Sequence, residues 1–205
     1  IQRYEVNAFG KRINQLEFQK GIQGNKIRLT LDTEIQKLSA KLLLNKAGSI
    51  SVMDIYTGDI IAMYSSPSYD PNLFLFGISQ DEWELIRNNP LKPLIHKTIS
   101  GLYSPGSTIK PIVALSALEN NIINPNFKVK CTGKTELYGQ TFHCWKEKGH
   151  GYVSLKNAMK QSCDTYFYEV ARLLGVDRLN ITAKKFGLGE KVLGEYFDNE
   201  KQGLF

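Results

Sequence analysis

The sequence lacks any run approaching the roughly 18 to 20 consecutive apolar residues that a membrane-spanning helix needs. Its opening, Ile1-Gln2-Arg3-Tyr4, is not a start methionine followed by a signal peptide, so it reads as a piece of a longer protein. Cysteine is sparse. Three in 205 residues is an odd number that excludes a complete disulfide framework. Metal ligation, one bridge with a spare thiol, or buried free thiols remain. Gly-x-Gly-x-x-Gly, His-Glu-x-x-His and Gly-x-Ser-x-Gly are all missing. Gly133-Lys134-Thr135 imitates the end of a phosphate-binding loop, but Lys128 stands where the earlier glycine is required, which excludes a nucleotide site. The net charge of +6 is not massed on one element; Lys146-Glu147-Lys148 and Lys184-Lys185 are scattered pairs. That argues for a solvated basic face and against a nucleic-acid groove.

What is present is ordinary for a globular protein: 42% hydrophobic and 22% charged residues, which excludes disorder and leaves room for a sizeable core. Loose alternation through Tyr4, Val6, Phe9, Ile13, Leu16 and Phe18 predicts a hairpin in residues 1–25, ending in a Gly21–Gly24 connector. Asp32 is the expected N-cap of an amphipathic helix over Thr33–Leu44. Ser49–Ile55, a turn at Tyr56-Thr57-Gly58-Asp59, and Ile60–Tyr64 carry the strongest hairpin signal, expected at the centre of a sheet. Residues 65–104 read as a long surface excursion with a short helix near Gln80–Arg87. Ser107–Asn120 reads as a buried helix whose start is bracketed by Pro105 and Pro111. Residues 121–152 read as irregular, and Leu155–Gln161, Asp164–Leu174 and Asp177–Phe186 as three further helices.

Two polar groups stand out against this pattern. Ser107-Thr108-Ile109-Lys110 places a hydroxyl and an amine at i and i+3 on one face of an apolar helix's first turn. A serine nucleophile needs such a neighbour to take its proton. Ser162-Cys163-Asp164 falls at a helix boundary, where Ser and Asp serve as caps; a second hydroxyl there can also relay a proton. Cys131, Cys144, His150 and Cys163 form a soft-ligand set, with His143 an equally available nitrogen, and their spacing by itself does not separate metal from free thiols or a Cys131–Cys144 bridge.

Tyr103-Ser104-Pro105-Gly106-Ser107-Thr108-Ile109-Lys110-Pro111 resembles the Ser-x-x-Lys signature of the penicillin-binding proteins. Gly58–Met63 and Pro67-Ser68-Tyr69-Asp70-Pro71-Asn72 look like the hairpin and loop preceding that serine in the class B enzymes. Ser162-Cys163-Asp164-Thr165-Tyr166-Phe167-Tyr168, with Asp where Asn is commoner, and Gly149-His150-Gly151 are similar to the second motif region of the elongation-specific members. The third motif, Lys-Ser/Thr-Gly, occurs nowhere in the chain.

The resemblance implies an α+β serine penicillin-recognising transpeptidase fold, an antiparallel sheet with a helical subdomain, here truncated. Residues 1–25 would end a non-catalytic pedestal and residues 26–205 begin the transpeptidase domain. It implies a peptidoglycan D,D-transpeptidase with Ser107 as nucleophile, Lys110 as base, Ser162 as relay and Asp164 orienting both. The isolated piece is expected to be inactive. Members of the group can carry a zinc site built from Asp, Asp, His and Cys, and the resemblance implies Cys131, Cys144, His150 and Cys163 as the matching positions here. A structural Zn²⁺ is therefore expected, with no cofactor for the chemistry itself. Implied partners are stem peptides, β-lactams, a membrane glycosyltransferase and elongation scaffold proteins, with no nucleic acid. The implied location is the periplasmic side of the bacterial inner membrane, anchored by an N-terminal helix absent from this chain. A serine β-lactamase or β-lactam sensor of the same fold, and a zinc-stabilised non-catalytic interaction module, are the alternatives.

Overall fold

The computed structural model describes residues 2–18, 21–75, 77–194 and 197–204. Strands β1 (Gln2–Val6) and β2 (Arg12–Phe18) form the expected N-terminal antiparallel hairpin, its turn closed by Asn7, whose Oδ1 accepts from the amides of Phe9 and Lys11. Gln19 and Lys20, within the expected hairpin and connector, lie outside the described residues.

Helix α1 (Thr33–Leu42) begins where Asp32 accepts hydrogen bonds from the amides of Glu34 and Ile35. It packs on the antiparallel pair β3 (Gly48–Met53) and β4 (Ile60–Ser66), and the Gln36 amide brackets Met63 by bonding both its N–H and its carbonyl. The pair was expected at the centre of a sheet. Among the described residues β3 and β4 form a two-stranded sheet and pair as strands only with each other. The apolar run Ile60–Tyr64 of β4 signals burial, and α1 supplies part of that cover.

The excursion after β4 carries helix α2 (Gln80–Arg87), started by a capping box in which Ser79 and Glu82 exchange hydrogen bonds. It is tied back to β4, since the Ser65 hydroxyl donates to the Ile95 carbonyl and accepts from the Lys97 amide. A 3-10 turn at Gly106–Ile109 then leads into α3 (Lys110–Glu119).

Residues 121–152 are not irregular as expected. They hold β5 (Lys128–Cys131), β6 (Lys134–Leu137), β7 (Gln140–His143) and the start of β8 (Gly151–Ser154), with β5 antiparallel to β8 and β6 to β7. Four-residue strands are too short to show alternation. The β6–β7 turn uses Tyr138-Gly139, both at positive φ, where the common signal is Asn-Gly.

Helices α4 (Leu155–Lys160), α5 (Asp164–Leu174) and α6 (Val176–Lys184) complete the regular elements among the described residues. The core lies here: Val113, Ala114 and Ala117 of α3, Val153 of β8, Ala158 of α4, and Tyr166, Phe167 and Val170 of α5 pack with all three cysteines. Against α6, Ser116 and Thr182 satisfy each other's buried hydroxyls, and Ser116 also donates to the Arg178 carbonyl. No helix is long and apolar enough to cross a membrane among the described residues. This mixture of helices and antiparallel pairs is the α+β class expected.

Because Val170 is fully buried between α5 and its neighbours, Val170→Ala is expected to lower the unfolding free energy by about 1–3 kcal/mol in urea titrations, through lost transfer energy and an unfilled cavity. Val176→Ala, at a residue 70% exposed, should leave the midpoint nearly in place.

Candidate active site

Three segments converge at the N-terminal ends of α3 and α5. In the first, Gly106 at φ 55 turns the chain into the 3-10 helix, and the Thr108 hydroxyl and amide both return to the Pro105 carbonyl. This turn leaves Ser107 exposed and swings Lys110 inward, where it is 8% exposed. In the second, α4 ends at Gln161, Ser162 takes φ 49, and Cys163 caps α5, whose first residue is Asp164. A carboxylate in that position complements the helix dipole.

The side chains meet in one unbroken chain. Lys110 Nζ donates to Asp164 Oδ1 at 2.6 Å, to Ser162 Oγ at 2.9 Å and to the Ser162 carbonyl at 3.0 Å. The Ser162 hydroxyl in turn donates to Ser107 Oγ at 2.9 Å. All four predicted residues are thus brought together. The order differs from the simplest expectation, for Ser107 reaches Lys110 through Ser162. Burial raises the Asp164 carboxyl, but the Lys110 hydrogen bond, the Trp145 amide and the Lys110 charge outweigh it and hold the group below its ordinary value. Trp145, which the residue pattern did not single out, donates its amide to Asp164 Oδ2 at 3.0 Å and its indole N–H to the Gln161 carbonyl at 2.9 Å. Its one sequence signal is adjacency to Cys144.

The third segment is the strand region, and it carries the soft ligands. Ligand atoms of Cys131, Cys144, His150 and Cys163 all lie within 4.8 Å of one another, and the cysteines are unbridged. His143, on β7, is exposed and outside the cluster. The β-segments hold the ligands by close approach. Cys131 pairs with Gly151, the Cys144 amide donates to the Gly133 carbonyl at 2.8 Å, and a Cβ on Gly149 would collide with the backbone of Cys131 and Thr132.

Burial tends to raise the Cys131 thiol, but its hydrogen bonds with Thr165, His150 and the backbone amides of Gly133 and His150 bring it down to about 6. Burial, reinforced by Cys131 and Cys144 beside it, pushes Cys163 up to about 12. Sulfurs this close repel one another as thiolates, and a divalent cation among them reverses that penalty. A tetrahedral Zn²⁺ with three sulfurs and one nitrogen has S···N edges of about 3.5 Å. His150 Nδ1 lies 3.5 Å from both Cys131 Sγ and Cys144 Sγ. His150 Nε2 is buried without a hydrogen-bond partner among the described residues.

An exposed serine linked through a second hydroxyl to a buried lysine–carboxylate pair is an arrangement that suits acyl transfer through a serine. Residues 48–204 match the model of the penicillin-binding protein transpeptidase domain, and the chain belongs to that family. The peptidoglycan D,D-transpeptidase MrdA of Haemophilus influenzae is 38% identical over 191 residues, 92% of this chain and 29% of its own length. Pseudomonas aeruginosa PBP2, solved in complex with WCK 5153, is 40% identical with a TM-score of 0.80 over 86% of this chain and 40% of that one. Helicobacter pylori PBP2, solved in a complex with MreC, is 35% identical with a TM-score of 0.77 over 92% of this chain and 35% of that one. The chain therefore has the penicillin-binding transpeptidase fold and spans about three tenths of the length of the curated relatives it matches.

Removing the carboxylate leaves the Lys110 ammonium, 10% exposed, without its counter-charge. Asp164→Asn is expected to lower the unfolding free energy by about 1–3 kcal/mol in urea titrations. Glu34→Gln, which breaks an ion pair exposed on both sides, should give no measurable change.

Proposed function

We propose that the protein is a peptidoglycan D,D-transpeptidase of cell-wall elongation, acting through a serine acyl-enzyme. The observation that carries this reading is the continuous hydrogen-bonded path from Asp164 through Lys110 and Ser162 to the exposed hydroxyl of Ser107. Ser107 Oγ attacks the D-Ala-D-Ala carbonyl of a stem peptide. Once the Lys110 ammonium has given one proton to solvent, the Ser107 proton passes to the Ser162 oxygen as the Ser162 proton moves to the Lys110 amine, the reverse of the resting donor order. Collapse of the tetrahedral intermediate breaks the peptide bond, and the leaving D-Ala amine takes a proton back along the same path. An amine of a second stem peptide then attacks the ester, forms the cross-link and restores the serine. Asp164 holds Lys110 on Ser162 throughout. A β-lactam acylates the same hydroxyl, in keeping with the penicillin G acyl-enzyme solved for penicillin-binding protein A of M. tuberculosis, 27% identical with a TM-score of 0.75.

Cys131, Cys144, His150 and Cys163 hold a structural Zn²⁺ in this reading. The ion neutralises the sulfurs and fixes a region with short strands and little core of its own, and the transfer chemistry takes place on Ser107 without it. Residues 1–25 form the end of the pedestal and residues 26–205 the first part of the transpeptidase domain. The site works on the periplasmic side of the inner membrane with a glycosyltransferase and scaffold partners. The MreC complex of the Helicobacter pylori relative supports a scaffold contact.

In the full-length protein a fluorescent penicillin should label the parent and leave Ser107→Ala unlabelled, while Lys110→Ala slows labelling by about 10²–10⁴. Equal labelling of Ser107→Ala would sink the assignment. Metal analysis of the same preparations should find one zinc per chain in the parent and in His143→Ala, and a loss in Cys144→Ser. Unchanged zinc in Cys144→Ser refutes the ligand set.

A further inference from the structure

Both N–H groups of Trp145 are spent on the segment that carries Ser162. The backbone amide bonds Asp164 Oδ2 at 3.0 Å and the indole bonds the Gln161 carbonyl at 2.9 Å, so the two acceptors flank Ser162 and Cys163. That segment needs holding. Ser162 has φ 49, a left-handed conformation that costs a residue with a side chain and persists only where its surroundings enforce it. The indole is 64% exposed and adds little to the core. Its own place is set by buried Cys144 on one side and an edge-on contact with His150, the ring centroids 5.4 Å apart.

We infer that Trp145 is a positioning residue for acyl transfer, clamping Ser162-Cys163-Asp164 so that Ser162 Oγ and Asp164 Oδ1 stay on the Lys110 amine. The inference rests on the transfer function proposed above. Trp145 touches none of the reacting atoms. Its loss lowers the fraction of molecules in which the path from Ser107 to Lys110 is closed, and it leaves the first, non-covalent encounter with a ligand as it was.

The test uses the full-length protein in three forms: the parent, Trp145→Phe, and a form with 3-benzothienylalanine in place of Trp145. The benzothienyl ring keeps the shape of indole and has sulfur where the N–H was. Stopped-flow acylation by a penicillin separates the dissociation constant of the first complex from the first-order acylation constant. Losing one hydrogen bond should slow acylation about tenfold in both variants, with the dissociation constant within about twofold of the parent's. An unchanged acylation constant in the benzothienyl form overturns the inference, whatever Trp145→Phe does. A change confined to the dissociation constant also overturns it, because Trp145 would then be a ligand contact. A parent that is not acylated, or a Ser107→Ala protein that still is, defeats the transfer function itself, and that failure is visible without any Trp145 variant.

Discussion

The Lys110 ammonium is the constraint around which this part of the molecule is arranged. It is a buried cation at the start of α3, the helix end that disfavours positive charge, on a helix that otherwise contributes Val113, Ala114 and Ala117 to the core. An uncompensated charge there is untenable. Its three protons meet three acceptors, all from the Ser162–Asp164 segment. That requirement fixes how the end of α4 and the start of α5 approach α3, and it accounts for a carboxylate at the first position of α5. It also explains why Ser162 occupies a backbone conformation that a serine does not choose for itself.

A second tie reaches the same segment from the opposite side. Cys163 lies between the two residues that bind Lys110, and its sulfur faces Cys131 and Cys144, which come from the strand region. Those strands make ladders of only four residues each, and their loops depend on the close backbone approach that Gly133 and Gly149 permit. One tripeptide therefore carries the hydroxyl that links Ser107 to Lys110, a soft-ligand sulfur and the counter-charge of the lysine. The N-terminal turn of α5 is shared between the hydrogen-bonded chain that ends at Ser107 and the soft-ligand cluster, with Trp145 bracing it from outside.

Much of this was legible in the residues. Asp32 marks the start of α1 through local chemistry, and a cap works wherever its helix goes. Ser107-x-x-Lys110 was visible because a polar pair in the first turn of an apolar helix is out of place unless something meets it. The strands between 128 and 154 were not legible, since four residues cannot display a period and Tyr138-Gly139 is an uncommon turn pair. Spacing did not decide between His143 and His150. The fold does so by leaving His143 exposed on β7 and turning the His150 ring between two sulfurs.

The sequence by itself determined which groups could do chemistry, the start of α1 at its Asp32 cap, and the family, because these depend on residue type and short spacing. Only the tertiary structure decided that Ser107 reaches Lys110 through Ser162, that three cysteines and one histidine share a space 4.8 Å across, and that Trp145 holds the loop between them. The bonds from the Trp145 indole and the Ser162 hydroxyl join residues 16 and 55 positions apart. Packing of α5 against α3 on one side and against the strand region on the other closes those distances, and no local pattern encodes it.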